Sequence, residues 1–206
     1  MFVLLALRLA VPAAFASPEE PAATPGDTLP ASLQGKAVVL GMDDPDFARA
    51  VVSNAVQPAG MGGVSEAVVL RITEDIPVWR MWNGPDKVDA NGRTNRLGQW
   101  WTADPPKGRV SDYRVNYEVC VAWNDLTWVE RCTLKAGAVV AAGPGQSVSA
   151  ETCGDPSGEE SYPASPRHWQ VFIATPWTRM PAELDCPPET ADYKANPKRL
   201  ERPAKR

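Results

Sequence analysis

Arginine set beside tryptophan is the first chemistry the chain offers. In Val78-Trp79-Arg80-Met81-Trp82, a strand over residues 76–82 puts Trp79 and Met81 on one face and Val78, Arg80 and Trp82 on the other. Burying Trp79 and Met81 leaves a guanidinium next to an indole, a planar donor fork with a stacking surface that suits an anionic or aromatic ligand. The plainer alternative is a solvated cation–π pair between Arg80 and Trp82. Further along, Gly98-Gln99-Trp100-Trp101-Thr102 adds paired indoles, so that half of the eight tryptophans fall within residues 78–102.

Other constellations carry less. A Ser-His-Asp triad can use only His168, with Ser147 or Ser165, and no nucleophile-elbow signature surrounds either serine. Glu159-Glu160 are adjacent carboxylates, which point apart on a strand or loop and default to solvent. Asp43-Asp44-Pro45-Asp46 reads as a helix start, with Asp44 as N-cap and Pro45 at the first helical position, rather than as a metal site. Gly60-Met61-Gly62-Gly63 lacks the Lys and Ser/Thr of a phosphate-cradling loop and reads as a turn. With one histidine and no close cysteine pair, zinc is disfavoured and no metal is expected.

These residues need a frame. A chain of 206 residues is room for one domain. Residues 1–16 resemble an export signal ending in Ala14-Phe15-Ala16, too short and interrupted to span a bilayer. Residues 17–35 form a Pro/Ala-rich acidic spacer expected to be disordered, 36–186 a single globular domain, and 187–206 a flexible basic tail. The net charge of −4 argues against nucleic acid as a partner. Cys120, Cys132, Cys153 and Cys186 make an even count, read as two disulfides in the periplasm or outside the cell.

Strands are expected at 37–40, 67–72, 76–82, 99–102, 138–142 and 169–175, with one N-terminal helix carrying Phe47, Val51 and Ala55. The sharpest alternation is Tyr113, Val115, Tyr117, Val119, Val121, Trp123, which predicts a core strand turning at Leu126 into a second strand over 128–135. Three cystine connectivities are open. That hairpin favours Cys120–Cys132, with Cys153–Cys186 as the remainder. The fold class is therefore α+β and β-rich: two small, mostly antiparallel sheets, one N-terminal helix, disulfide-bonded.

The order of Val78-Trp79-Arg80, Gly98-Gln99-Trp100-Trp101-Thr102, the glycine turn Gly143-Pro144-Gly145-Gln146-Ser147 and His168-Trp169-Gln170-Val171-Phe172-Ile173 resembles secreted ADP-ribosyltransferase-like domains of bacterial toxins, over about residues 76–175. The resemblance implies a cleft between two sheets that holds NAD. Arg80 would grip the pyrophosphate or ribose, Trp100 or Trp101 would wall the nicotinamide with Trp82 a further cofactor contact, and Thr102 would hold its strand in register by a hydroxyl hydrogen bond. Gln170 stands where such enzymes generally place a glutamate, and a neutral amide gives little electrostatic help to a growing positive charge. Glu118, Glu159 or Glu160 could supply the carboxylate. The rival expectation is a secreted, non-enzymatic β-rich binding module whose Trp/Arg surface takes a sugar, peptide or protein. In either case the partner is an unknown protein target or small molecule, with no membrane span and a monomeric chain.

Overall fold

The computed structural model describes residues 29–188. The expected export signal, most of the spacer and the basic tail from residue 189 lie outside them. Eight strands form two sheets. The larger contains β1 (Ala37–Leu40), β2 (Val68–Ile72), β4 (Trp100–Trp101), β6 (Val139–Gly145) and β7 (Ser165–Phe172), in the order β1-β2-β6-β7-β4. The smaller contains β3 (Ile76–Trp82), β5 (Trp128–Leu134) and β8 (Leu184–Asp185), in the order β3-β5-β8. Every pairing between these strands is antiparallel. The β-rich, disulfide-bonded architecture of two antiparallel sheets expected from the sequence is the one observed, without the expected single N-terminal helix.

The main core lies between the sheets. Leu70, Ile72, Val140, Ala142 and Val171 of the larger sheet pack with Ile76, Val78, Cys132, Leu134 and Leu184 of the smaller. Val69, Val139, Ala141 and Phe172 cover the other face of the larger sheet, packed with Ala50, Ala55 and Phe47. Both faces of β2 and β6 are thus buried, and their sequences accordingly run apolar without alternation. The sheets touch where Trp79 and Thr102 exchange main-chain hydrogen bonds of 2.9 and 2.8 Å.

Several expectations are corrected. Residues 29–35 are not free spacer: Leu29 and Leu33 enter the main core, Leu33 with no exposure. The single helix over 44–56 is instead a 3-10 turn (Phe47–Ala50) and a short α1 (Val52–Ala55), divided by Val51 in the left-handed region (φ 51°). The acidic start does bend the chain, Asp44 Oδ1 accepting the Asp46 N–H at 2.9 Å, but its charge is spent on Arg71.

The largest correction concerns residues 113–123. They form no strand: α2 spans Val110–Asn116, and turns follow. A period of two also satisfies the i, i+4 spacing of a helix, and only Tyr113 and Tyr117 of that row are fully buried, while Val121 and Trp123 are exposed. The Asp112 carboxylate accepts from the Arg109 N–H and pairs with its guanidinium at the helix start. Without that hairpin, β5 pairs with β3 instead, Val78 opposite Cys132 and Trp82 opposite Trp128.

The disulfides change accordingly: they are Cys120–Cys153 and Cys132–Cys186. The first ties the turn after α2 to α3 (Ala150–Cys153). The second fixes β5 to the end of β8, beyond the short α4 (Pro176–Arg179). Finally, Gly143-Pro144-Gly145 is no turn but the buried end of β6, with a register shift at Pro144/Gly145. A Cβ on Gly143 would collide with the Glu66 carbonyl.

Because Cys132–Cys186 closes a long loop (sequence separation 54), the variant Cys132→Ser/Cys186→Ser should lose roughly 2–4 kcal/mol of stability. Denaturant unfolding of the two proteins checks this, and non-reducing peptide mapping checks the pairing. A Cys120–Cys132 peptide would contradict it.

Candidate functional site: an aromatic cleft over a buried carboxyl

Of the residues named from the sequence, Arg80, Trp100, Trp101, Thr102 and Gln170 line one cleft, although they come from both sheets. Its volume is about 150 Å³. Met81, Leu126, Tyr113, Tyr117 and Trp123 complete the walls, and Glu118 stands among them. Trp82 is not there. It is fully buried, its ring 5.9 Å from that of Trp128, because β3 presents it to its cross-strand neighbour.

The Arg80 side chain is not the outward fork that alternation suggested. Trp79 is the half-buried residue, while Val78 and Trp82, on the same face as Arg80, have no exposure. Arg80 Nε donates to the Asn95 carbonyl at 3.0 Å and Nη1 to the Trp100 carbonyl at 2.8 Å. Gly98 has no Cβ because the guanidinium occupies that space. Burial pulls the Arg80 pKa down to about 10, so the group stays protonated at neutral pH. Its positive charge sits at the cleft wall, with two of its donors spent on main chain.

Thr102 does hold its strand, but through its main chain to Trp79, while its hydroxyl donates to the Asp104 carbonyl at 2.7 Å. Tyr113 and Tyr117 lie 4.5 Å apart between centroids with their planes tilted by 39°, and both phenols interact with the Thr102 hydroxyl. Desolvation raises the pKa of each, so they stay neutral donors across the physiological range. Trp101 is fully buried and anchored by its Nε1–H to the Gly98 carbonyl at 2.7 Å. Trp100 is the more accessible indole and meets Phe172 edge-on at 5.0 Å.

Three carboxylates were open candidates, and Glu118 is the one that reaches the cleft. It follows α2 in the left-handed conformation (φ 49°) and is only 2% exposed. Gly145 makes room for it, since any Cβ there would overlap the carboxyl. Gln170 Nε2 donates to Glu118 Oε2 at 3.2 Å and also lies near the Gly63 and Tyr117 carbonyls at 3.2 and 3.4 Å. Among the described residues Glu118 Oε1 has no hydrogen-bond partner. Desolvation pushes the carboxyl pKa up to about 9, against smaller lowering effects from the Gln170 amide and the Ser165 N–H. The acid is therefore held uncharged at neutral pH. Glu159 stays exposed on its loop, and Glu160 is engaged by the Val121 N–H and the Tyr162 hydroxyl.

Ser165 Oγ and His168 Nδ1 are 2.8 Å apart, but among the described residues no carboxylate hydrogen-bonds the imidazole, so no triad is completed. Ser147 is elsewhere, accepting the Gly60 N–H. Among the described residues the one trio with metal-ligand proximity is Glu130, Cys132 and Cys186, and its sulfurs are bonded to each other. The described residues thus form a β-rich domain with an aromatic cleft that holds a buried carboxyl group. No family model, no curated protein and no solved structure matches the chain.

A carboxyl that titrates near 4.5 when unfolded and about 9 when folded leaves the native state holding the extra proton between those values. Its contribution is fully present below the unfolded value and is lost as pH rises towards the folded one. Glu118→Gln removes that loss. Relative to the wild type, its stability should climb by up to about 1.4 kcal/mol per pH unit between pH 5 and 8. Urea unfolding at three pH values checks this, and parallel curves would contradict the buried acid.

Proposed function

We propose that the chain is an exported ADP-ribosyltransferase-like domain whose cleft takes the nicotinamide–ribose end of NAD. The observation that carries this reading is the convergence of Arg80, Trp100, Trp101, Thr102 and Gln170, from separate sheets, around Glu118. The two cystines fit the oxidising compartment that export supplies, and among the described residues no helix is long and apolar enough to cross a membrane.

The fit rests on size and charge. A hollow of about 150 Å³ holds a single six-membered ring, not a dinucleotide. The nicotinamide of NAD carries a positive charge, and aromatic walls attract cations. Such a ring, placed by Glu118, offsets the desolvation that keeps the acid neutral and draws it towards the carboxylate form. Glu118 then supplies the negative charge that Gln170 cannot. As the glycosidic bond breaks, the ring leaves with the bonding pair as neutral nicotinamide. The carboxylate stabilises the cation left on the ribose until an acceptor nucleophile adds and loses its proton. Gln170 orients the carboxyl through its amide.

A second reading is favoured by one observation: two Arg80 donors are already committed to the Asn95 and Trp100 carbonyls. The cleft would then hold a ring without cleaving anything, as a binding module.

Incubating the oxidised protein with NAD labelled in its nicotinamide separates the two. The enzyme reading expects release of labelled nicotinamide, reduced roughly 100-fold in Glu118→Gln, with nicotinamide binding retained. Binding without release supports the module. Neither binding nor release overturns both.

A further inference from the structure

If Arg80 is committed to main chain, the phosphates of a dinucleotide need other cations, and these converge one step away. A second hollow, about 240 Å³, shares Tyr113 and Tyr117 with the cleft and is lined by Lys107, Arg167 and His168. Asp104 is the sole acidic residue of its lining. In a chain of net charge −4, Lys107 and Arg167 gathered at one hollow beside His168, with Asp104 alone opposing them, make a locally basic site that an anion suits. Lys107 and Arg167 are both exposed and, among the described residues, neither is ion-paired.

The shared walls suit one ligand spanning both hollows. His168 and Gln170 both belong to β7, His168 where the pairing with β6 skips from Trp169 to Ser165, and Tyr113 and Tyr117 line both hollows. Gln170 lines the cleft and His168 the second hollow. The imidazole is fixed in place: Nδ1 meets Ser165 Oγ at 2.8 Å, and the ring packs edge-on to Tyr117 at 5.5 Å.

Resting on the NAD reading of the cleft, we propose that this second hollow takes the diphosphate of the dinucleotide, with Lys107, Arg167 and His168 as its cationic partners. Burial holds the His168 pKa below its ordinary value, with Arg167 and Lys107 acting in the same direction and Asp104 against them. A bound diphosphate reverses the balance and favours the imidazolium. Binding therefore tightens as pH falls through the His168 titration. The charged and titratable groups around the ring are Asp104, Lys107, Arg167 and Tyr117.

His168 is the only histidine in the chain, so its imidazole NMR signals report on this hollow alone, while the indole signals of Trp100, Trp101 and Trp123 report on the cleft. The protein is titrated with NAD, with inorganic pyrophosphate and with nicotinamide, all at ionic strength matched by sodium chloride. NAD and pyrophosphate are expected to raise the His168 titration midpoint by about one pH unit, and nicotinamide to move indole signals only. In Lys107→Ala/Arg167→Ala the rise with pyrophosphate should vanish while the nicotinamide response persists. If NAD moves the indoles but leaves His168 unchanged, the cleft reading survives and the diphosphate site is overturned. If pyrophosphate raises the midpoint but neither NAD nor nicotinamide touches the indoles, the hollow is a site for free phosphates and the dinucleotide is overturned. An equal rise with sodium chloride alone means screening only and overturns the site.

Discussion

The structure depends on how one half-buried cation is accommodated. Among the described residues no carboxylate is hydrogen-bonded to Arg80; it is held by the Asn95 and Trp100 carbonyls, with its guanidinium against Gly98. That arrangement brings the entry of β4 to β3 and so joins the edge of the larger sheet to the smaller one, beside the main-chain exchange between Trp79 and Thr102. A lysine could not replace it, because a point charge cannot reach two carbonyls in a fixed plane. Nor could an alanine replace Gly98, because the methyl would displace the guanidinium. The cleft exists because the sheets are pinned along this line.

Across the cleft stands the complementary group. Glu118 is carried on a left-handed residue, and two residues later Cys120 is fastened to Cys153. The turn that presents the carboxyl is therefore anchored covalently. A neutral acid facing a hollow is poised differently from a permanent carboxylate: it acquires charge when a cation arrives. On the proposed reading the aromatic walls and the acid are parts of a single device, since the ring that would stack on indole and phenol would also ionise the carboxyl.

Much of this frame was legible in the residues. The strands around Val69, Val78, Val129 and Val171 follow from apolar runs bounded by turns, and the order of the Arg80, Trp100-Trp101-Thr102 and Gln170 segments anticipated their convergence. What was not legible has physical causes. The row from Tyr113 to Trp123 satisfies strand and helix spacing together, and only packing of Tyr113 and Tyr117 against Met81 and Leu126 decides it. The cystine pairing depended on that hairpin and changed with it. Gly143 and Gly145 looked like a turn, but each is a place where another group approaches the backbone too closely for a Cβ. Gly145 was the one sequence signal that could have singled out Glu118, and it means nothing until the partner is known. Arg80 misled for a related reason: alternation assigns a face but cannot say that the face is covered.

The most direct measurement is the titration of the Glu118 carboxyl itself, followed by carbon-13 NMR with Glu118→Gln identifying its signal, in the presence and absence of NAD. A midpoint near 9 in the empty protein, falling well below that when NAD is bound, is what the account predicts. A midpoint at the ordinary glutamate value in the empty protein, unmoved by NAD, would contradict it.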